Sequence, residues 1–340
     1  MAPRGSPVSE RRNDRLSWLD AVLAAGATAA SFVPDTSPDS ADVGDPAGVE
    51  FVEDATLETH AIDESAWRPR ATSFLDGFQS WRVVAYDRIV PVLRAWVAAG
   101  VRRRDAGRRL RTVHEIGHEL AITFTDRLSP AVRSALEASG VPIVSIADEG
   151  WGPPGAALAA ARRALETARV GVEREAGKMW PKTATEDEWL VVDGVLSDHA
   201  ALAAHARAIG VVKNPGARYF DGSDLETALT LPAEHRTSVF QPPARGAAAV
   251  HSWYLRLWPW EGNDLLHGLV RVEAPARRET AERADAISAW LLAERAPLTL
   301  PDARWHRLLY PLHDVETYLR TRAPAFLRAE PAGRLPARPA

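Results

Sequence analysis

The feature that most constrains this chain is a carboxylate set inside an apolar run, and it occurs twice. Thr72-Ser73-Phe74-Leu75-Asp76-Gly77-Phe78-Gln79 carries Asp76, and Trp189-Leu190-Val191-Val192-Asp193-Gly194 carries Asp193. In both places the β-formers Leu, Val, Phe and Trp predict a buried strand, and glycine after the acid lets the backbone turn or approach a ligand closely. An isolated charge costs several kcal/mol to bury, so each Asp must be paired or bound to a cation. Two such acids on neighbouring central strands would face each other and require a divalent metal. Asp-Gly is also a common turn dipeptide, so either pair alone fits a strand end just as well.

Composition narrows the chemistry. The chain has no cysteine, which excludes disulfides, thiolate catalysis and cysteine-ligated zinc. Any metal must be held by carboxylates, histidines or carbonyls. At 340 residues the chain suits one large domain or two ordinary ones, and 46% hydrophobic with 25% charged residues is usual for a globular protein. No apolar run is long enough to span a bilayer, and the N-terminus, with Arg4, Arg11, Arg12 and Arg15, lacks a secretory apolar region. A cytoplasmic protein without membrane association is expected. A net charge of −4 gives no global basic field for a polyanion. Basic charge is local: Arg102, Arg103, Arg104, Arg108, Arg109 and Arg111 form either a solvated turn or a phosphate-binding patch. Of the 12 tryptophans, Trp81, Trp189, Trp253, Trp258 and Trp260 lie beside the motifs; core packing explains most, with base stacking open to one or two.

Along the chain, residues 1–50 read as an N-terminal helical arm and flexible linker. Leu16, Leu19, Val22 and Leu23 fall at helical spacing and lead into Ala-rich sequence, and Pro34 to Val49 is rich in Pro, Asp, Ser and Gly. Residues 51–325 form the main domain and 326–340 a disordered tail. Strands are predicted at 72–79, from 81 through 92 to 104, and at 111–124, joined as a meander. A helix at 130–140, a strand at 141–146 and a strong helix at 156–177 follow, the last with Glu166 and Glu173 on one face. The second motif strand, a helix at 199–209 and a strand at 210–214 ending on Lys213 make a strand–helix–strand unit, which implies parallel neighbours. Strands at 237–240, 252–257 and 268–273 precede a helix at 275–293 with Pro275 in its first turn. A last helix after Tyr310-Pro311 carries His313, Glu316 and Tyr318. The fold class expected is α/β, a mixed sheet flanked by helices.

His114-Glu115-Ile116-Gly117-His118 matches H-E-x-x-H, in which one helical face presents two histidines to zinc and Glu acts as base. That reading makes the chain a zinc metallopeptidase with a distant third ligand such as Glu137 or Glu149. It requires a helix, whereas the β-branched neighbours and Gly117 predict a strand.

The ordered set of motifs resembles the NurA family of DNA double-strand break repair nucleases. The matching pieces are Phe-Leu-Asp-Gly around Asp76, Val-Asp-Gly-Val-Leu around Asp193 and Gly-Val-Val-Lys ending at Lys213. Ser-Trp-Tyr-Leu-Arg-Leu at 252–257, Leu-Val-Arg-Val-Glu at 269–273 and the late Tyr-Pro complete the set, which spans roughly residues 70–320. The resemblance implies a ribonuclease-H-like sheet and a metal-dependent exonuclease and single-strand endonuclease acting on DNA ends. It further implies Mn²⁺, with Mg²⁺ as substitute, a homodimer, and a HerA-type hexameric ATPase partner. Carried over by motif, its metal-binding acids fall on Asp76 and Asp193. A helix glutamate falls on Glu173, with Glu166 as alternative, and a tyrosine on Tyr254, whose role stays open. The family histidine after Tyr-Pro has two counterparts, His313 by residue type and Glu316 by spacing, and both ligand types suit manganese. A non-catalytic adaptor of a DNA translocase is the remaining alternative.

Overall fold

A computed structural model describes residues 18–32, 48–63, 67–105, 109–213, 215, 219–243, 248–295 and 305–324. Helix α1 (Trp18–Ala24) is followed by strands β1 (Thr28–Phe32), β2 (Glu50–Phe51) and β3 (Thr59–Ala61). The long strands β4 (Ala71–Asp87), β5 (Val90–Arg104) and β6 (Leu110–Thr123) form an antiparallel meander. Next come α2 (Pro130–Ala138), β7 (Ile143–Ser145), α3 (Pro154–Met179), β8 (Glu188–Asp193), α4 (Ala200–Ala203) and β9 (Ala208–Val212). The remainder is α5 (Gly222–Leu229), β10 (His235–Thr237), β11 (Phe240–Gln241), β12 (Val250–Arg256), β13 (Leu269–Pro275), α6 (Arg278–Glu282), α7 (Ala284–Glu294) and α8 (Tyr310–Arg322).

These strands join one mixed sheet in the order β2-β11-β12-β13-β9-β8-β4-β5-β6-β7, with β1 added to β4 and the pair β10–β3 added to β12. Strands β4, β8 and β9 run parallel, the β8–β9 pair as the strand–helix–strand pattern predicts, while β13 returns antiparallel to β9. Side chains alternate between the faces, and both faces are covered, so the central strands are apolar on each side. Leu75, Leu190 and Val192 pack with Leu165, Val172 and Ala176 of α3. Phe74, Val191, Val211, Trp253 and Val272 pack on the other face with Ile287 and Leu291 of α7 and Leu312, Val315 and Leu319 of α8. The protein is therefore α/β, a large mixed sheet between helical layers. Among the described residues no helix is long and apolar enough to cross a membrane.

Several expected boundaries move. The first strand does not stop at Gln79 but runs on to Asp87, and the chain reverses at Arg88-Ile89, where Arg88 takes a positive φ of 56° without any glycine to mark the turn. The expected helix at 199–209 shrinks to four residues because β9 starts at Ala208. Pro275 closes β13 instead of opening a helix; Pro at a strand end removes no bond from the ladder interior. The helical segment that follows is two helices broken at Arg283. The Ala-rich stretch after α1 is strand β1, paired with Val83 to Tyr86 of β4. Trp18 and Val22 are buried in the core, so residues 18–32 pack as part of the sheet domain and not as a separate arm. Residues 33–47, most of the expected linker, and the expected tail at 326–340 lie outside the described residues.

Candidate functional site

The parallel ladder between β4 and β8 ends with Leu75 opposite Val192. The next residue on each strand is Asp76 and Asp193. By alternation with Phe74 and Val191, both acids point to the face covered by α8. Asp193 pairs with Val211 on β9, so Lys213, two residues on, returns to that face, and its Nζ donates to Asp193 Oδ2 at 2.5 Å. Glu316 of α8 lies within electrostatic reach of both Asp76 and Lys213. Glu173 arrives from α3 on the opposite face, through the gap that Gly77 leaves. A Cβ on Gly77 would sit 1.9 Å from Glu173 Oε1. The glycine after Asp76 is thus required by close approach of a carboxylate, and the one after Asp193 by its positive φ of 114°. Gly210 completes the junction: its Cβ would meet the Gly194 carbonyl at 2.7 Å.

The electrostatics are those of a site short of positive charge. Burial pushes the Asp76 carboxyl well above its ordinary range; Asp193 adds to that, Lys213 opposes it, and Glu173 and Glu316 add again. Glu173, 3% exposed, is pushed up to about 7, first by burial and then by Asp193, against the pull of Arg169. Arg169, one turn earlier on α3, donates to Glu173 Oε1. Burial lowers the Lys213 ammonium, but Asp193 and Asp76 more than offset it, and the net shift is upward. The Gly77 N–H donates to Asp76 Oδ1 at 2.7 Å. Hard divalent cations choose such carboxylate oxygens, and the burial and mutual repulsion that raise Asp76 and Glu173 are what a cation offsets. Asp76, Glu173, Asp193 and Glu316 are therefore a chemically fitting donor set. It is an open one, because the only three ligand atoms that lie within 4.8 Å of one another among the described residues belong elsewhere, to Glu53, Asp54 and His60.

That second group was not visible in the sequence. Glu53 accepts from Arg236 Nη1 at 2.7 Å and Nη2 at 2.8 Å; Asp54 accepts from Ser238 Oγ at 2.6 Å and lies 2.8 Å from His60 Nε2. Ser238, ahead of the burial cost and His60, holds the Asp54 carboxyl below its ordinary value. Its bonds already join the 53–60 segment to the strand at Arg236, which makes it a structural knot.

The other expected site residues are placed as follows. His313 is half-buried on α8, its Nδ1 without a partner among the described residues, and it is hydrogen-bonded to none of the central acids. Glu166 is exposed, two turns before Glu173, and acts on Glu173 and Arg169 only through its charge. Tyr254 alternates with Trp253 and so points to the face away from Asp76; it packs against Phe220 and Phe240, and burial pushes its hydroxyl up to about 12. His114 and His118 lie on strand β6 and not on a helix. Glu115, between them, faces the opposite side of the sheet, where Tyr318 Oη at 2.7 Å and Arg322 Nε at 2.9 Å donate to it. Those three residues do not share the single face that a zinc peptidase needs. The basic run is largely paired: Arg102 with Asp314, Arg103 with Glu188, Arg104 with Glu294 and Arg111 with Asp105. Arg108 lies outside the described residues. Arg169 was missed; its place one turn before Glu173 was the available signal. Comparison with protein-family models and with curated protein sequences returns no match.

Proposed function

We propose that the protein is a divalent-metal-dependent deoxyribonuclease with a ribonuclease-H-like sheet. The observation that carries the reading is the buried Asp76 beside Asp193, at the shared end of two parallel strands, with Glu173 reaching over Gly77. The strand order β6-β5-β4-β8-β9, an antiparallel meander followed by two parallel strands, supports the fold assignment.

Asp76, Glu173, Asp193 and Glu316 would hold Mn²⁺ or Mg²⁺, with His313 as a further donor on the same helix as Glu316. The chemistry a bound ion supplies is Lewis-acid activation of water and stabilisation of the departing oxygen. The chain's own contribution is positional. Parallel pairing fixes Asp76 and Asp193 side by side, Arg169 aims Glu173, and Lys213 neutralises Asp193. DNA ends as substrate, a homodimer and a HerA-type ATPase partner belong to the same proposal and come from the motif resemblance.

The test is digestion of labelled linear and single-stranded DNA by wild type and Asp193→Asn with Mn²⁺, Mg²⁺, Zn²⁺ or EDTA. Manganese-dependent cleavage by wild type that the variant lacks supports the reading. No cleavage with any metal, even with the ATPase added, overturns it in favour of the adaptor.

A further inference from the structure

On the α3 face, along the helix that carries Glu173, lies a cavity of about 280 Å³ lined by Arg174, Lys178, Asp198, His199 and Leu202 among others. One water takes about 30 Å³ in the liquid, so the space suits a ligand and not a bridging water. Arg174 and Lys178 are one turn apart on α3 and both exposed. Arg174 spends its Nε on the Asp198 carbonyl at 2.9 Å, and Lys178 has no hydrogen bond or ion pair among the described residues. His199 is 6% exposed, and its Nδ1 is buried without a partner. Asp198 is the one acid in the lining. The cavity is linked to the acids through the elements that carry them: Arg174 directly follows Glu173 on α3, His199 follows the turn that leaves β8 after Asp193, and His199 lies within electrostatic reach of Arg169, the partner of Glu173.

We infer that this cavity is a phosphate-backbone subsite, in which Arg174, Lys178 and His199 hold the single-stranded DNA leading to or from the acid cluster. The inference rests on the nuclease reading for the identity of the polyanion. Two mobile cations with open donors and one preformed imidazole suit a chain of phosphates. The small, largely apolar floor at Ala200, Ala201 and Leu202 lets a sugar-phosphate chain approach closely. In the arginine run at the β5–β6 hairpin, the obvious candidate by sequence, Arg102, Arg103, Arg104 and Arg111 are instead taken up by ion pairs.

The test is binding of a fluorescent oligothymidine by the full chain in EDTA, by anisotropy across a salt series. Three forms are compared with wild type: Arg174→Ala/Lys178→Ala, the charge-keeping Arg174→Lys/Lys178→Arg, and a charge-matched control, Arg163→Ala/Arg278→Ala, at exposed positions elsewhere. The first pair should weaken binding tenfold or more and reduce the slope of log K against log salt by about 1.4, at about 0.7 per phosphate contact. The charge-keeping pair should retain the slope and the control pair should match wild type. Equal slopes for the alanine pair and the control overturn the subsite while manganese-dependent cleavage by wild type still stands. Absence of both binding and cleavage by wild type overturns the nuclease reading and the subsite with it.

Discussion

At the scale of single residues, Gly77 ties sequence to site most directly. Its side chain is absent because Glu173 occupies that space. Gly77→Ala should displace the glutamate with little cost to the core, lowering DNA cleavage by about 100-fold, the penalty of a misplacement near 1 Å. Thermal melting should stay close to wild type, and unchanged cleavage would mean that Glu173 takes no part. Two buried groups set opposite pH limits on the metal-free protein. Glu173 has its pKa raised to about 7, so the stability it leaves intact below its ordinary value of 4.5 is lost as pH rises towards 7. His199 is lowered to about 4 by burial and by Arg174 and Arg169; its contribution is present above 6.5 and is lost as pH falls towards 4. In EDTA, Glu173→Gln should flatten the alkaline limb and His199→Gln the acid limb of unfolding free energy against pH, each by up to about 3 kcal/mol. Identical profiles for wild type and both variants would refute the linkage. Asp76 and Asp193 were legible in the sequence because an acid inside an apolar run has few physical explanations. Arg169 was not, since an arginine on an amphipathic helix has many.

At the scale of elements, α8 decides whether Glu316 reaches the acids. The helix is pinned to the sheet by Arg102, which pairs with Asp314, donates to the Leu110 carbonyl at 2.7 Å and lies 4.7 Å from the Tyr318 ring centroid. Tyr318 and Arg322 add two bonds to Glu115. Arg102→Ala leaves the Leu110 carbonyl and Asp314 without this donor, so a loss of about 1–3 kcal/mol in chemical denaturation is expected. Cleavage should fall as well, because Glu316 shifts with its helix. The opposite face of β6, where His114 and His118 point, predicts what that strand does not do: His114→Ala and His118→Ala should each leave cleavage within about 2-fold of wild type, as substitutions away from a site do. A large loss in either would reopen the zinc reading. The long strands were legible because β-branched and apolar residues run through them. The turn at Arg88-Ile89 was hidden, since an arginine at positive φ carries none of the glycine or asparagine chemistry that marks hairpins.

At the scale of the whole molecule, β4 is the strand on which everything converges, and it needs two different neighbours along one edge. Over Ala71 to Leu75 that edge is covered by β8. Over Val83 to Tyr86 it is covered by β1, from the far N-terminal part of the chain. Helix α1 locks β1 in place: Val22 is fully buried, and Trp18 Nε1 donates at 2.7 Å to Glu119, which also takes Arg94 Nε at 2.6 Å. No periodicity in residues 28–32 reveals this, because a short alanine-rich stretch reads as helix until a distant strand edge recruits it. The neighbourhood of β9 and β13 was hidden for the same reason, as order across a sheet depends on pairings remote in sequence. The pairing predicts what truncation does. Removing residues 1–32 strips the apolar contacts of α1 and bares the ladder groups of β4, an unprotected edge that recruits other chains. Burial of Val22 and Trp18 alone is worth at least about 3 kcal/mol. The truncated protein should therefore melt well below the full chain and scatter light at concentrations where the full chain stays clear. A detachable arm predicts the opposite, an unchanged melting curve with a defect confined to partner binding, and that outcome would show that β1 is dispensable to the sheet.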